Sequence, residues 1–353
     1  MESIEIKGYK SIKHINLSLL PINILIGANG AGKSNILSFF EFLDNLYNQK
    51  LQAYVGHCGG IHKFLFNGID STDSISAKIV FDESINSYSF EVTRSASSFV
   101  FSKEILWYHK DDLEYNDYSK EAGIKYNEYP RATYIKEYIT ALRKYHFHDT
   151  GDKSPFNQSS KIGKDSIELY DKGENLAAFL YQIKQENPKV FYRIIKTIQS
   201  VIPHFLDFVL VPDRENNIVL YWKDKYSNYN YDITDFSDGS IRFIALTVLF
   251  LQPNPPRTII IDEPELGLHP FAIAKLAGLI HTVASDKCQV IIATQSAELI
   301  ANFQPKDIIA VDNIQGETKI TRLDNELYKG WLEEYTLDEL WKRNIINKAQ
   351  PNF

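Results

Sequence analysis

The apolar and polar positions along the chain change rhythm three times, and each rhythm predicts a different kind of element. Ile4-Glu5-Ile6, Ile15-Asn16-Leu17-Ser18-Leu19, Ile75–Phe81 and Tyr88–Val92 alternate apolar with polar, as half-buried antiparallel strands do. Ile22-Asn23-Ile24-Leu25-Ile26 is short and rich in β-branched residues, the pattern of a buried parallel strand. Asn35–Leu43 then turns apolar at helical spacing. From about 103 to 204 the chain is polar and aromatic, with helical periodicity near 131–144, 174–187 and 189–202. The composition of Asp149–Pro155 marks a loop between the first two. Strands return at Phe208–Val211, Ile218–Trp222, Thr258–Ile261, Val290–Ala293 and Ile308–Val311. The last three alternate with helices at Gly239–Leu251 and Phe271–Ala284 and so predict parallel α/β units.

The predicted architecture is an α/β nucleotide-binding core interrupted by an insertion. Residues 1–102 supply its N-terminal part with a β lobe, 103–204 a helical insertion, and 205–353 its C-terminal part. The strand at 22–26 and those at 258–293 are expected to share one sheet. No internal repeat or low-complexity segment is visible.

Composition narrows the function classes. With 353 residues, 44% apolar and 24% charged, the chain reads as globular with ample core. Its longest apolar runs, such as Ile241–Leu251, are too short to cross a bilayer, and no signal peptide pattern opens it. Cys58 and Cys288 lack metal-ligand spacing and are expected to be packing residues in a reducing cytoplasm. A net charge of −7 argues against coating nucleic acid through bulk electrostatics; a local basic groove for DNA stays open, but no long Lys/Arg run exists to build one. Many of the 21 tyrosines cluster at 108–138 and 221–231, where interleaved acids favour a partly wet packing face over a base-stacking surface.

Gly27-Ala28-Asn29-Gly30-Ala31-Gly32-Lys33-Ser34 is a complete G-x-x-x-x-G-K-S phosphate loop, and it stands between the strand and helix its chemistry needs. The glycines let backbone N–H groups from Asn29 through Asn35 turn towards phosphate oxygens, and the helix N-terminus adds its positive end. Lys33 is expected to reach the β- and γ-phosphates of ATP, and Ser34 to ligate Mg²⁺. Thr258-Ile259-Ile260-Ile261-Asp262-Glu263 delivers two acids at the end of a buried strand, where open α/β sheets bind ligands. Asp262 is expected to share the Mg²⁺ with Ser34, and Glu263 to orient or deprotonate the attacking water.

Asp262-Glu263-Pro264-Glu265-Leu266-Gly267-Leu268-His269-Pro270 resembles the Walker B and D-loop of ABC-type ATPases, in the branch containing RecF, SMC heads and the OLD-family ATPase domain. Gly8-Tyr9-Lys10-Ser11-Ile12 resembles the opening of SMC and RecF heads, which implies that Lys10 and Ser11 approach the nucleotide. Phe236-Ser237-Asp238-Gly239-Ser240 resembles the ABC signature, and Ala293-Thr294-Gln295-Ser296 matches the switch position. Tyr145–Thr150 and Gly173–Ala177 are similar to stand-alone ATPases of bacterial defence and mobile-element loci.

The resemblance implies an ABC-type P-loop head with a mixed sheet, an antiparallel β lobe and a helical insertion. It implies Ser237 and Gly239 contacting the γ-phosphate on a second subunit, hence a head-to-tail homodimer around ATP and Mg²⁺. Gln295 and His269 join Glu263 as candidate catalytic residues. Two departures stand out: Asp238 replaces a signature glycine, and Gln295 replaces the frequent histidine and cannot carry a proton, so turnover is expected to be slow. No sustained heptads and no TOPRIM-like acid set after Asp312 are present, which implies a separate, nuclease-like effector in antiviral defence. A RecF-like DNA repair ATPase and a nucleotide-gated scaffold with little turnover are the alternatives.

Overall fold

The computed structural model describes residues 1–81, 85–109, 111–115, 118–151, 153–323, 330–331, 333–343 and 345–346. Asp152, within the expected loop 149–155, lies outside the described residues. Two compact units are present, one of residues 1–142 with 304–353 and one of residues 143–303.

In the first unit, six strands form an antiparallel sheet in the order Ile12–Ser18, Ser3–Tyr9, Ser74–Phe81, Asn86–Ser95, Ser98–Tyr108 and Asp111–Tyr115. Alternation dictates its two faces. Ile4, Ile6, Ile75, Ile79, Tyr88 and Phe99 are fully buried, whereas Lys7, Lys78 and Lys103 face outward, with Glu5 paired to Lys78 and Glu91 to Lys103 across strands. The helix Lys33–Tyr47 buries Ile36, Leu37, Phe39, Phe40, Phe42, Leu43 and Leu46. Phe39 meets Tyr9 edge-on at 5.2 Å between ring centres and lies parallel to Phe90 at 6.5 Å. Burying each such side chain contributes about 1.5–3 kcal/mol relative to leaving it in water. The strand Ile22–Ile26 pairs parallel with Ile308–Ile314, which returns antiparallel as Glu317–Arg322.

In the second unit, Thr258–Asp262 pairs parallel with Gln289–Thr294. Helix Asp238–Leu251 buries every residue from Ile241 to Leu251, so it is a core helix rather than a half-exposed one. Helices Leu176–Glu186, Pro188–Val201, Pro270–Val283 and the short Ala297–Ile300 also belong to this unit. A small antiparallel sheet of Phe205–Val209, Tyr221–Asp224 and Asn230–Asp232 stacks Trp222 on Phe236 at 4.0 Å and on Tyr231 at 4.9 Å.

The structure corrects three sequence expectations. The predicted strand Ile218–Trp222 divides into Asn217–Ile218 and Tyr221–Asp224. Residues 103–108 and 111–115 are strand. Cys58, which follows the short helix Leu51–His57, is exposed and so is not a packing residue, whereas Cys288 is buried as expected. Among the described residues no helix is long and apolar enough to cross a membrane.

Candidate active site

The phosphate loop is shaped by contacts that only glycine tolerates. A Cβ on Gly27 would lie 2.3 Å from the carbonyl oxygen of Val311, and one on Gly32 would lie 2.0 Å from Thr318 Oγ1. Gly32 also adopts φ 109°, and Gly30 adopts φ 79° with open space around it. The helix starting at Lys33 has no side-chain cap and no acid in its first turn. Its N-terminal N–H groups are therefore suited to an external anion, and the cradle fits nucleotide phosphates. Lys33 is only 6% exposed, and its ammonium donates to Gly27 O at 2.6 Å and Ala28 O at 3.1 Å. That places a fixed cation within the loop itself.

Thr318 buttresses the loop. It is fully buried, its hydroxyl lies 2.6 Å from Ser11 Oγ, and it donates to Ala31 O at 3.3 Å. Asn35 Nδ2 donates to Ser11 Oγ at 2.7 Å, and Asn313 Nδ2 to Gly30 O at 3.4 Å. Ser11 and Asn35, expected beside the nucleotide, are thus brought together as a brace behind the loop. Lys10 sits at φ 49° and donates to Ser38 Oγ at 2.9 Å on the second turn of the same helix. Asn29, Gly30 and Ser34 lie on the exposed side of the loop, while Ala31 is buried.

In the second unit the acids stand where the sequence placed them, at the end of the strand Thr258–Asp262. Asp262 is half-buried, and its carbonyl oxygen accepts from His148 Nε2 at 3.0 Å. Glu263 adopts φ 43°, a left-handed conformation that costs a non-glycine residue about 1–3 kcal/mol. The turn is held by Glu263 N donating to Ala293 O at 2.8 Å, and Gln295 Nε2 donates to Glu263 Oε1 at 2.8 Å. Glu263 and Gln295, both expected to take part in catalysis, are therefore in direct contact. Glu265 is 9% exposed and accepts from the Thr294 hydroxyl, which itself accepts from Ser296 N at 2.9 Å. Its other oxygen has no hydrogen-bond partner among the described residues. Burial, reinforced by the neighbouring Glu263 charge, raises the Glu265 carboxyl above its ordinary range.

The signature residues form a tight helix start. Ser237 caps Asp238–Leu251 by accepting from Ser240 N at 3.3 Å. A Cβ on Gly239 would meet Gly267 O at 2.3 Å, so the signature lies directly on the D-loop, where Gly267 itself takes φ 78°. Arg242, 6% exposed, donates Nε to Phe147 O at 3.0 Å and Nη2 to His148 O at 3.2 Å, and it also donates to Leu266 O. Asp238 Oδ1 accepts from Thr150 Oγ1 at 2.8 Å. His269 Nδ1 accepts from Phe271 N at 3.2 Å and so caps the helix Pro270–Val283. The Gln52 amide is occupied by the backbone of Phe99 and the Lys120 carbonyl.

Sequence reasoning missed Thr318, Thr150, Arg242 and Glu265. Glu265 and Arg242 sit inside or beside recognised motifs, so an acid with no solvent role and a cation on an otherwise apolar helix were available signals. Thr318 and Thr150 carry no local signal.

Residues 22–301 match the protein family described as "AAA domain, putative AbiEii toxin, Type IV TA system". The chain is similar to the Old nuclease of Escherichia phage P2, with 22% identity over 387 residues, covering 93% of this chain and 62% of that protein. It is also similar to an ATP/GTP phosphatase of Helicobacter pylori (strain ATCC 700392 / 26695), with 21% identity over 342 residues, covering 85% and 86% respectively. Its fold is shared with an SMC head bound to the C-winged helix domain of ScpA (TM-score 0.61, 19% identity, 93% of this chain and 99% of that one). A second Smc head with an extended coiled coil, bound to the C-terminal domain of ScpA derived from Pyrococcus furiosus, gives a TM-score of 0.55 at 17% identity, covering 94% and 98%. At these identities the likeness to the heads is one of fold.

Proposed function

The chain belongs to this AAA-domain family, and we propose that it is an ATPase of which two copies pair head-to-tail around ATP. In this reading the Lys33 charge and the loop N–H groups bind the β- and γ-phosphates. Ser34 and Asp262 hold Mg²⁺, which would neutralise phosphate charge and orient the γ-phosphoryl group. Glu263 accepts the proton of the attacking water while Gln295 fixes its carboxylate. Ser237 and Gly239 of the second copy close over the γ-phosphate, so ATP joins the pair and hydrolysis releases it.

The observation that carries hydrolysis is the strained Glu263, held at φ 43° with its carboxylate bonded to Gln295. Gln295 cannot relay a proton, which supports slow turnover and the use of the ATP state as a timed switch. The switched partner is a separate, nuclease-like effector in antiviral defence. Similarity to a phage nuclease of which this chain spans 62% supports that assignment. The same Gln295 geometry favours a second reading, a nucleotide-gated scaffold in which turnover is incidental.

Glu263→Gln tests the central claim. It keeps size and reach but removes the base, so hydrolysis is expected to fall roughly 10²–10⁴-fold with ATP binding intact. Light scattering after size exclusion should show a pair in ATP and Mg²⁺ and a single copy in ADP, and Ser237→Arg should abolish the pair. An assembly state indifferent to nucleotide and to Ser237→Arg would refute pairing.

A further inference from the structure

Asp238 poses a problem that the typical glycine avoids. It puts a carboxylate beside Ser237, at the helix start proposed to receive a partner's γ-phosphate, where like charges repel. The structure holds that carboxylate from behind. Thr150, only 8% exposed, donates its hydroxyl to Asp238 Oδ1 at 2.8 Å. Thr150 is itself fixed by the segment 147–150, which is tied at several points. Arg242 donates to Phe147 O and His148 O, His148 Nε2 donates to Asp262 O, and Ser154 Oγ donates to Asp149 O at 2.6 Å. The guanidinium of Arg242, buried one helical turn from Asp238, also attracts that carboxylate.

We propose that Thr150, supported by Arg242, is a positioning residue that draws the Asp238 carboxylate towards the buried side of the signature helix and so lets a signature with an acid accept a phosphate. This rests on the ATP-paired reading. It also accounts for a second feature of the segment 147–150, which joins the signature to the backbone of Asp262. A second copy docking on Ser237 would then act on a helix start already linked to the acid strand.

The test is Thr150→Val, which keeps shape and removes the hydroxyl, compared with Asp238→Asn and the double variant. Thr150→Val should melt within a degree or two of wild type and bind fluorescent ATP normally at concentrations where it is unpaired. Its ATP-dependent pairing and turnover should fall about tenfold, and raising the salt should recover part of the loss because the fault is a freed charge. Asp238→Asn should restore pairing in the double variant, since the repelling charge is gone. Wild-type pairing by Thr150→Val, or a double variant as defective as Thr150→Val alone, would overturn the inference while leaving the paired reading intact. A wild-type chain that does not pair in ATP would overturn that reading and this inference with it.

Discussion

At the scale of single residues, the site is defined by groups held in conformations they would not choose alone. Glu263 at φ 43° and Glu265, one buried oxygen of which has no hydrogen-bond partner among the described residues, both sit on the turn after the acid strand. The Glu265 carboxyl binds its proton more tightly in the folded chain than in the unfolded one, because burial and Glu263 disfavour its charge. Its contribution to stability is therefore greatest below its unfolded pKa and is lost as pH rises through its raised folded pKa. Glu265→Gln keeps the acceptor for Thr294 and leaves one polar atom unpartnered, so it isolates the charge. Without nucleotide and in EDTA, the urea midpoint of the variant should match wild type near pH 4.5 and exceed it at pH 8. A constant difference across that range would assign the effect to shape. Lys33→Ala is the counterpart in the phosphate loop: it should abolish ATP binding while the fold, whose core is apolar around Phe39 and Phe42, remains. Circular dichroism and a nucleotide titration check it.

At the scale of elements, close backbone approach decides which positions must be glycine. Gly239 rests on the D-loop with no room for a Cβ. Gly239→Ala should cost about 1–3 kcal/mol, read as a lowered urea midpoint, by pushing the signature helix off Gly267. It should also slow ATP turnover more than Ser240→Ala, which leaves that contact untouched. Such packing explains what the sequence could and could not reveal. The phosphate loop and Asp262-Glu263 were legible because strand, turn and helix are encoded within a few adjacent residues. The strand Ser98–Tyr108 was hidden by buried Glu104, which breaks the apolar period. Its carboxylate is satisfied by Tyr88 OH at 2.8 Å and by the backbone of Gly123 and Ile124, partners no local pattern discloses. Thr318 and Ser11 meet across 307 positions, and Thr150 and Asp238 across 88, so each reads alone as an ordinary polar residue.

At the scale of the whole molecule, the proposed control of a separate effector requires a surface for it. Among the described residues, six large apolar side chains left exposed, Tyr108, Tyr118, Tyr126, Tyr129, Ile167 and Tyr192, fall within 103–204, the interval expected to be a helical insertion. Tyrosine suits that task, because it buries a large ring at low entropic cost while its hydroxyl tolerates water before docking. Neither of the nucleotide-site motifs draws on this interval except at 147–150, so substitutions among its exposed tyrosines should leave ATP turnover unchanged. Tyr126 and Tyr129 flank the start of the helix Pro130–Thr140 and are 74% and 57% exposed, which makes them the sharpest probes. Replacing both with serine should weaken capture of the proposed effector at least tenfold, a usual loss for a central aromatic contact. Hydrogen exchange of the ATP-bound chain with that effector should show slowed exchange in peptides covering 118–140. Slowed exchange confined to 304–323, with normal capture by the double tyrosine variant, would place the effector on the C-terminal strands instead.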